Sequence, residues 1–164
     1  MESMGLYKKN GFTLIELVVV VVIVGILAAV SLPRFLAMDV TARSSTADGV
    51  RGALGAAINL ARSQWQALSQ PATINFDNNN LVMSTAGWPE AGSGVADGIM
   101  TGAKCAQVWQ RVMSNPPPAS AGLCTGRCQY LAQTGSDPAV CFFVDQQGTG
   151  VNTITYNILT GEID

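Results

Sequence analysis

The sequence predicts an α+β protein in which one long N-terminal helix, apolar in its first half and amphipathic in its second, packs on an antiparallel β-sheet. Three observations carry this. From Phe12 to Leu32 roughly twenty residues run with Glu16 as their only charge, and as a helix rising about 1.5 Å per residue they cover about 30 Å, the thickness of a bilayer's hydrocarbon core. After Pro33, Val50, Leu54, Ile58, Ala61, Trp65 and Leu68 recur every three or four residues, while Arg43, Asp48, Arg51 and Arg62 fall largely elsewhere. Beyond Pro71 the helical period gives way to short alternating runs between clusters of Asn, Asp, Gly and Pro.

The first element is the apolar stretch and what precedes it. Lys8 and Lys9 place its start on the cytoplasmic side by the positive-inside rule, so the rest of the chain is expected outside. Glu16 is costly in lipid and asks for a partner. A cut between Gly11 and Phe12 would create one, because a new α-amino group has a pKa of about 7.7–8 and is mostly cationic at neutral pH. A basic leader followed by Gly11-Phe12-Thr13-Leu14-Ile15-Glu16 and an apolar run resembles type IV pilins and the related pseudopilins. The resemblance implies that a prepilin peptidase cuts after Gly11 and methylates Phe12, and that Glu16 pairs with the N-terminal amine of a neighbouring subunit. It divides the chain into a leader over 1–11, a transmembrane and filament-core helix over 12–35, and an extracellular pilin domain over 36–164.

Two plainer readings fit less well. A secretory signal with a cleavage site near Ala28-Ala29 would have an apolar region of about 7–15 residues and no Glu near its start. A first-turn acid that merely complements the helix dipole contributes only about 0.3–1 kcal/mol, too little to explain a carboxylate in lipid.

Gly25 and Pro33 weaken the helix, so a kink is expected near Ser31–Pro33. By resemblance these two positions bracket a stretch that loses helicity in the assembled filament; a membrane helix also simply tolerates both. Gly49, Gly52 and Gly55 repeat every three residues, which predicts close approach of another element, or alternatively a break near Thr46–Gly49. The helix is expected to end before Pro71.

Thr73–Phe76 and Leu81–Ser84 around Asp77-Asn78-Asn79-Asn80 predict a hairpin, closed by Gly87-Trp88-Pro89 with Trp88 anchored in the core. That order resembles the pilins behind the mannose-sensitive haemagglutinin pilus and the major pseudopilins. Residues 90–103 read as loop, Lys104–Met113 as a short helix stopped by the prolines at 116–118, and 129–131, 140–144 and 153–158 as strands.

The 164 residues allow one ordinary domain beyond the apolar segment, with nine basic and eleven acidic side chains and no His. No basic footprint for nucleic acid is present. Without His, a nucleophile elbow, a phosphate loop or a dinucleotide fingerprint, no enzyme and no cofactor is expected. Asp137, Asp145, Glu162 and Asp164 could hold calcium but read better as a solvated acidic surface.

Cys105, Cys124, Cys128 and Cys141 predict two disulfides in an oxidising compartment, with a zinc knuckle at Cys124–Cys128 the competitor. If 128–133 and 136–141 form a hairpin turning at Thr134-Gly135, Cys128 falls opposite Cys141 and leaves Cys105 for Cys124. A Cys124–Cys128 bridge closes only a tight loop. Pro138 can also move the turn to Ser136-Asp137 and shift the register.

The resemblance implies a structural subunit that polymerises with itself or other pilins into a surface filament for adhesion or motility. Its partners would be membrane lipid before assembly, the prepilin peptidase and the inner-membrane assembly platform. The alternatives are a pseudopilin of a type II secretion system and a membrane-anchored minor pilin or adhesin.

Overall fold

A computed structural model describes residues 11–124, 128–147 and 152–164. The leader with Lys8 and Lys9 lies outside the described residues, as does Thr125-Gly126-Arg127. The chain forms two compact units, the first reaching Thr41 and the second running from Ala42 to Asp164.

Helix α1 spans Leu14–Ala67 and is helical through Gly25, through Pro33 and through 46–49. The break near Thr46–Gly49 does not occur. In the first unit its large apolar side chains are exposed, from Leu14 to Leu32 and on to Phe35. In the second unit Ala47, Leu54, Ile58, Ala61 and Trp65 form a buried stripe. The helix ends before Pro71, with Ser69 and Gln70 in the left-handed region at φ 65° and 61° and the Gln70 amide donating to the Trp65 carbonyl at 3.0 Å.

The triplet of glycines does not serve packing within the chain. A Cβ on Gly49 or Gly52 would meet nothing within 4 Å, and one on Gly55 would touch only Ile163 at 3.6 Å. Close approach is required at Gly87, whose φ of +82° and position against the Trp65 ring leave no room for a side chain.

Strands β1 (Thr73–Phe76), β2 (Asn79–Met83) and β3 (Pro89–Ala91) form an antiparallel sheet in that order. The hairpin between β1 and β2 turns on Asp77-Asn78 alone, both at positive φ, 48° and 61°; Asn79 and Asn80 pair with Phe76 and Asn75. Two left-handed residues match the strand twist, which is why Asp-Asn suffices. Strand β3 occupies part of the stretch read as loop, and Pro89 falls opposite Met83 next to a register shift.

Helix α2 covers Gly102–Val112, with the Thr101 hydroxyl accepting from the Lys104 amide at 3.2 Å as its N-cap. The second sheet has the order β4 (Ala119–Ala121), β5 (Tyr130–Thr134), β6 (Val140–Asp145), β7 (Thr153–Asn157). Its pairs are antiparallel except β4–β5, which is parallel. Trp109 of α2 lies at the centre of the core, 4.9 Å from the Tyr130 ring and 4.5 Å from that of Phe143, and its indole N–H donates to the Pro117 carbonyl at 2.8 Å. Trp88 is buried as expected, with the Arg62 guanidinium 3.9 Å above its ring.

The predicted disulfides, Cys105–Cys124 and Cys128–Cys141, are not those formed. The chain pairs Cys105 with Cys141 and Cys124 with Cys128, at Cα separations of 5.7 and 5.3 Å. The cause is the register of β5 and β6, which places Thr134 opposite Cys141 and Tyr130 opposite Asp145. Pro138 sits in the turn, where Asp137 Oδ1 accepts the Ala139 amide at 2.8 Å. The turn therefore lies three residues later than a Thr134-Gly135 turn, Cys128 falls before the start of β5, and Cys141 meets the buried face of α2 at Cys105. With all four cysteines oxidised, Cys124 and Cys128 offer no thiolate pair for zinc.

Candidate functional site: the N-terminal segment

The segment predicted to carry processing and assembly enters α1 at Leu14. Phe12 is 94% exposed. Thr13 and Glu16 form a reciprocal pair: the Glu16 carboxylate accepts the Thr13 amide at 2.9 Å and the Thr13 hydroxyl at 2.8 Å, while the Thr13 hydroxyl accepts the Glu16 amide at 3.3 Å. This is a capping box, in which Thr at the N-cap and Glu three residues on satisfy each other's orphan amides. Glu16 thus already has hydrogen-bond partners within its own chain. Reading Glu16 only as a charge in need of a counter-ion overlooks the Thr-x-x-Glu spacing that announces them.

Behind the cap, α1 is long and apolar enough to cross a membrane, and its most apolar part is not buried among the described residues. Gly25 and Pro33 lie in this stretch, and a Cβ on Gly25 would meet nothing within 4 Å. Gly11, Phe12, Glu16, Gly25 and Pro33 therefore all lie on one segment of the first unit, whose most apolar part is exposed among the described residues.

A second polar cluster, missed by the sequence reading, lies in the second unit. Glu90 of β3 is fully buried, and its Oε1 accepts the amides of Asp97 and Gly98 at 2.8 and 3.1 Å and the Lys104 ammonium at 3.0 Å. Lys104 Nζ also donates to Asp97 Oδ1 and to the Ile99 carbonyl. The hydrogen bond from Lys104, with help from the Ile99 amide, lowers the Asp97 pKa to about 2. Burial alone would lower the Lys104 pKa, but Asp97 and Glu90 together outweigh it and raise it. Tyr156 donates to the Pro89 carbonyl at 2.8 Å, and burial, with the Glu90 charge behind it, pushes its phenol well above the ordinary value. Since the cluster holds its own ammonium, its chemistry is that of a clamp on the 92–99 loop.

Two of the four acidic residues considered for calcium are used locally. Asp137 caps its turn, and Asp145 Oδ1 accepts the Gln147 amide at 2.9 Å. Among the described residues no three His, Cys, Asp or Glu side chains gather as metal ligands.

Comparison with known proteins falls on the same N-terminal segment. Residues 6–32 match the family model described as the prokaryotic N-terminal methylation motif. The chain is 40% identical over 57 residues to the type IV narrow pilus major component PilA5 of Thermus thermophilus, covering 35% of this chain and 49% of that protein. It is 49% identical over 55 residues to the type IV major fimbrial protein FimA of Dichelobacter nodosus, covering 34% and 33%. A shorter match, 60% over 30 residues, is to the fimbrial protein EcpB of Eikenella corrodens, covering 18% and 19%. The chain thus spans half or less of the length of these relatives. No solved structure matches the chain. In its methylation motif and over about a third of its length, this chain is similar to type IV pilins.

Proposed function

We propose that the protein is a structural subunit of a type IV pilus. A prepilin peptidase removes residues 1–11 and methylates Phe12; the segment 12–35 anchors the precursor in the inner membrane; the part from 36 to 164 lies outside the cytoplasm. Assembly then transfers the apolar helix from lipid into the filament. The observation that carries this reading is the match of residues 6–32 to the methylation motif, which takes in the start of a helix whose apolar side chains are exposed among the described residues. Burying such surface is worth roughly 25 cal/mol per Å², and about twenty side chains are available for it.

In this reading Glu16 serves twice. Its carboxylate closes the capping box of its own helix, and its charge faces the N-terminal amine of a neighbouring subunit. The narrower kinship with the mannose-sensitive haemagglutinin pilus rests on the order helix, hairpin, Gly87-Trp88-Pro89, which the second unit follows through β1 and β2. Electron microscopy of cells lacking the protein, alongside an assay of secreted proteins, tests the function. Loss of surface filaments with secretion intact is the expected result; intact filaments with failed secretion would instead make the chain a pseudopilin of a secretion system.

A further inference from the structure

A buried ion pair is often no more stabilising than well-packed apolar side chains of the same volume. The pair between Glu90 and Lys104 fixes the position of a loop. Glu90 Oε1 accepts the amides of Asp97 and Gly98 at 2.8 and 3.1 Å. At the loop's other end the Gly92 amide donates to Gln107 Oε1 at 2.9 Å, and the Gly92 carbonyl accepts Arg111 at 2.6 Å. Between these anchors Gly94–Ala96 lines an open cleft of about 570 Å³ in the second unit, which it shares with Trp65, Gln70 and Thr73 and with Met83 and Thr85. Gln70 stands there at a φ of 61°, in the left-handed region that a side chain of this kind enters where its surroundings fix it.

We propose that this cleft binds an uncharged sugar ring. The inference uses the second unit alone and stands apart from the filament reading. A volume of this order lies in the range of small-ligand sites, about 300–1,000 Å³. The lining selects among ligands by charge and by polarity. Among the described residues, none that lines the cleft is charged, and the nearby Lys104 ammonium is already held by Glu90, Asp97 and the Ile99 carbonyl. A charged ligand would lose water there without meeting a counter-charge. A wholly apolar ligand fails for the opposite reason, because it would cover the exposed Gln70, Thr73 and Thr85 and leave an amide and two hydroxyls unpaired.

A pyranose meets both demands. Its hydroxyls give and accept hydrogen bonds, as the hydroxyls of Thr73 and Thr85 and the amide of Gln70 do. Its C–H faces are apolar and match Trp65, Met83 and Val95. The clamp contributes no charge to the lining, but it holds the 94–96 wall in place before a ligand arrives, which lowers the cost of ordering on binding.

The test is saturation-transfer NMR on the full chain in a zwitterionic detergent without a sugar headgroup. The probes are methyl glycosides of the common neutral pyranoses, with glucuronate and glucosamine as charged counterparts. At least one neutral glycoside is expected to bind, with a Kd at least tenfold below those of the two charged sugars. Thr73→Asp and Thr85→Asp each place a charge at an exposed position of the cleft. Each is expected to raise that Kd at least tenfold with the thermal midpoint unchanged. Trisaccharides ending in the same ring distinguish a free sugar, bound only as the monosaccharide, from the end of a longer glycan, bound in both forms. Absence of transfer to every neutral glycoside, an unchanged Kd in both Asp variants, or equal binding of the charged sugars would overturn the proposal.

Discussion

Glu16 has two separable roles, and one substitution distinguishes them. Gln closes a capping box nearly as well as Glu but carries no charge, whereas Ala does neither. Helix capping alone predicts that Glu16→Gln assembles normally and Glu16→Ala does not. Pairing with a neighbour's amine predicts that both insert and accumulate as monomer but fail to assemble. We expect the second pattern, read as the ratio of filament to membrane-inserted monomer; filaments at wild-type level from Glu16→Gln would reduce the residue to its cap.

At the same scale, Lys104 neutralises a carboxylate that has no access to water. Removing it in Lys104→Met takes away the ion-pair partner of the buried Glu90 carboxyl, a change worth roughly 3–5 kcal/mol in buried pairs and expected here toward the lower end because Lys104 keeps 16% exposure. Denaturant unfolding measures it. The pH dependence follows from the shifts. Asp97 is lowered to about 2, so its contribution is present above the unfolded value of about 3.9 and is lost as pH falls from there through about 2. Lys104 is raised, so its contribution is complete below about pH 10.4 and is lost only as pH rises beyond that. The clamp is therefore intact from about pH 4 to about pH 10, and Lys104→Met should remove the corresponding acid-side loss of stability.

At the scale of elements, the two disulfides differ in reach. Cys105–Cys141 joins α2 to β6 across a sequence separation of 36 and is fully buried, while Cys124–Cys128 spans a separation of only 4. In the chain-entropy model the longer loop stabilises by about 4 kcal/mol and the shorter by about 2 kcal/mol. Replacing Cys105 and Cys141 by Ala should lower the urea midpoint by clearly more than replacing Cys124 and Cys128. An equal or inverted effect would show that the short loop holds more than its own ends.

Elements with a strong local signal were legible in the sequence. Helix α1 shows itself by length and period, and α2 by its apolar spacing ahead of three prolines. The β1–β2 hairpin shows itself by Asp77-Asn78. Strands β3 and β4 did not, because Pro89-Glu90-Ala91 and Ala119-Ser120-Ala121 have no strand propensity of their own and are held by their partners. The disulfide pairing failed for a related reason, since it depended on a register that a single proline in the turn displaces. Glu90 sat in a stretch read as loop, and nothing in its neighbours marks it as buried.

On the scale of the whole molecule, the chain combines a capped helix, apolar and exposed among the described residues, with a folded unit held by its own core, clamp and disulfides. Such a division suits a subunit stored in a membrane and buried only on assembly. Of the site, the motif Gly11-Phe12 and the apolar run were readable because they are contiguous in sequence. The cluster around Glu90 was not, since its members come from β3, the 92–99 loop and α2, which only the fold brings together. Gly49, read from sequence as a site of close packing, faces open space among the described residues.

The division of roles depends first on where the mature protein begins. Mass spectrometry of the N-terminal peptide of protein sheared from the cell surface measures that directly. The expected result is a peptide starting at Phe12 and carrying one methyl group on its amine. A start at Ala29, Val30 or any residue beyond would remove Glu16 and most of the apolar helix from the mature chain and contradict the reading of this protein as a pilus subunit.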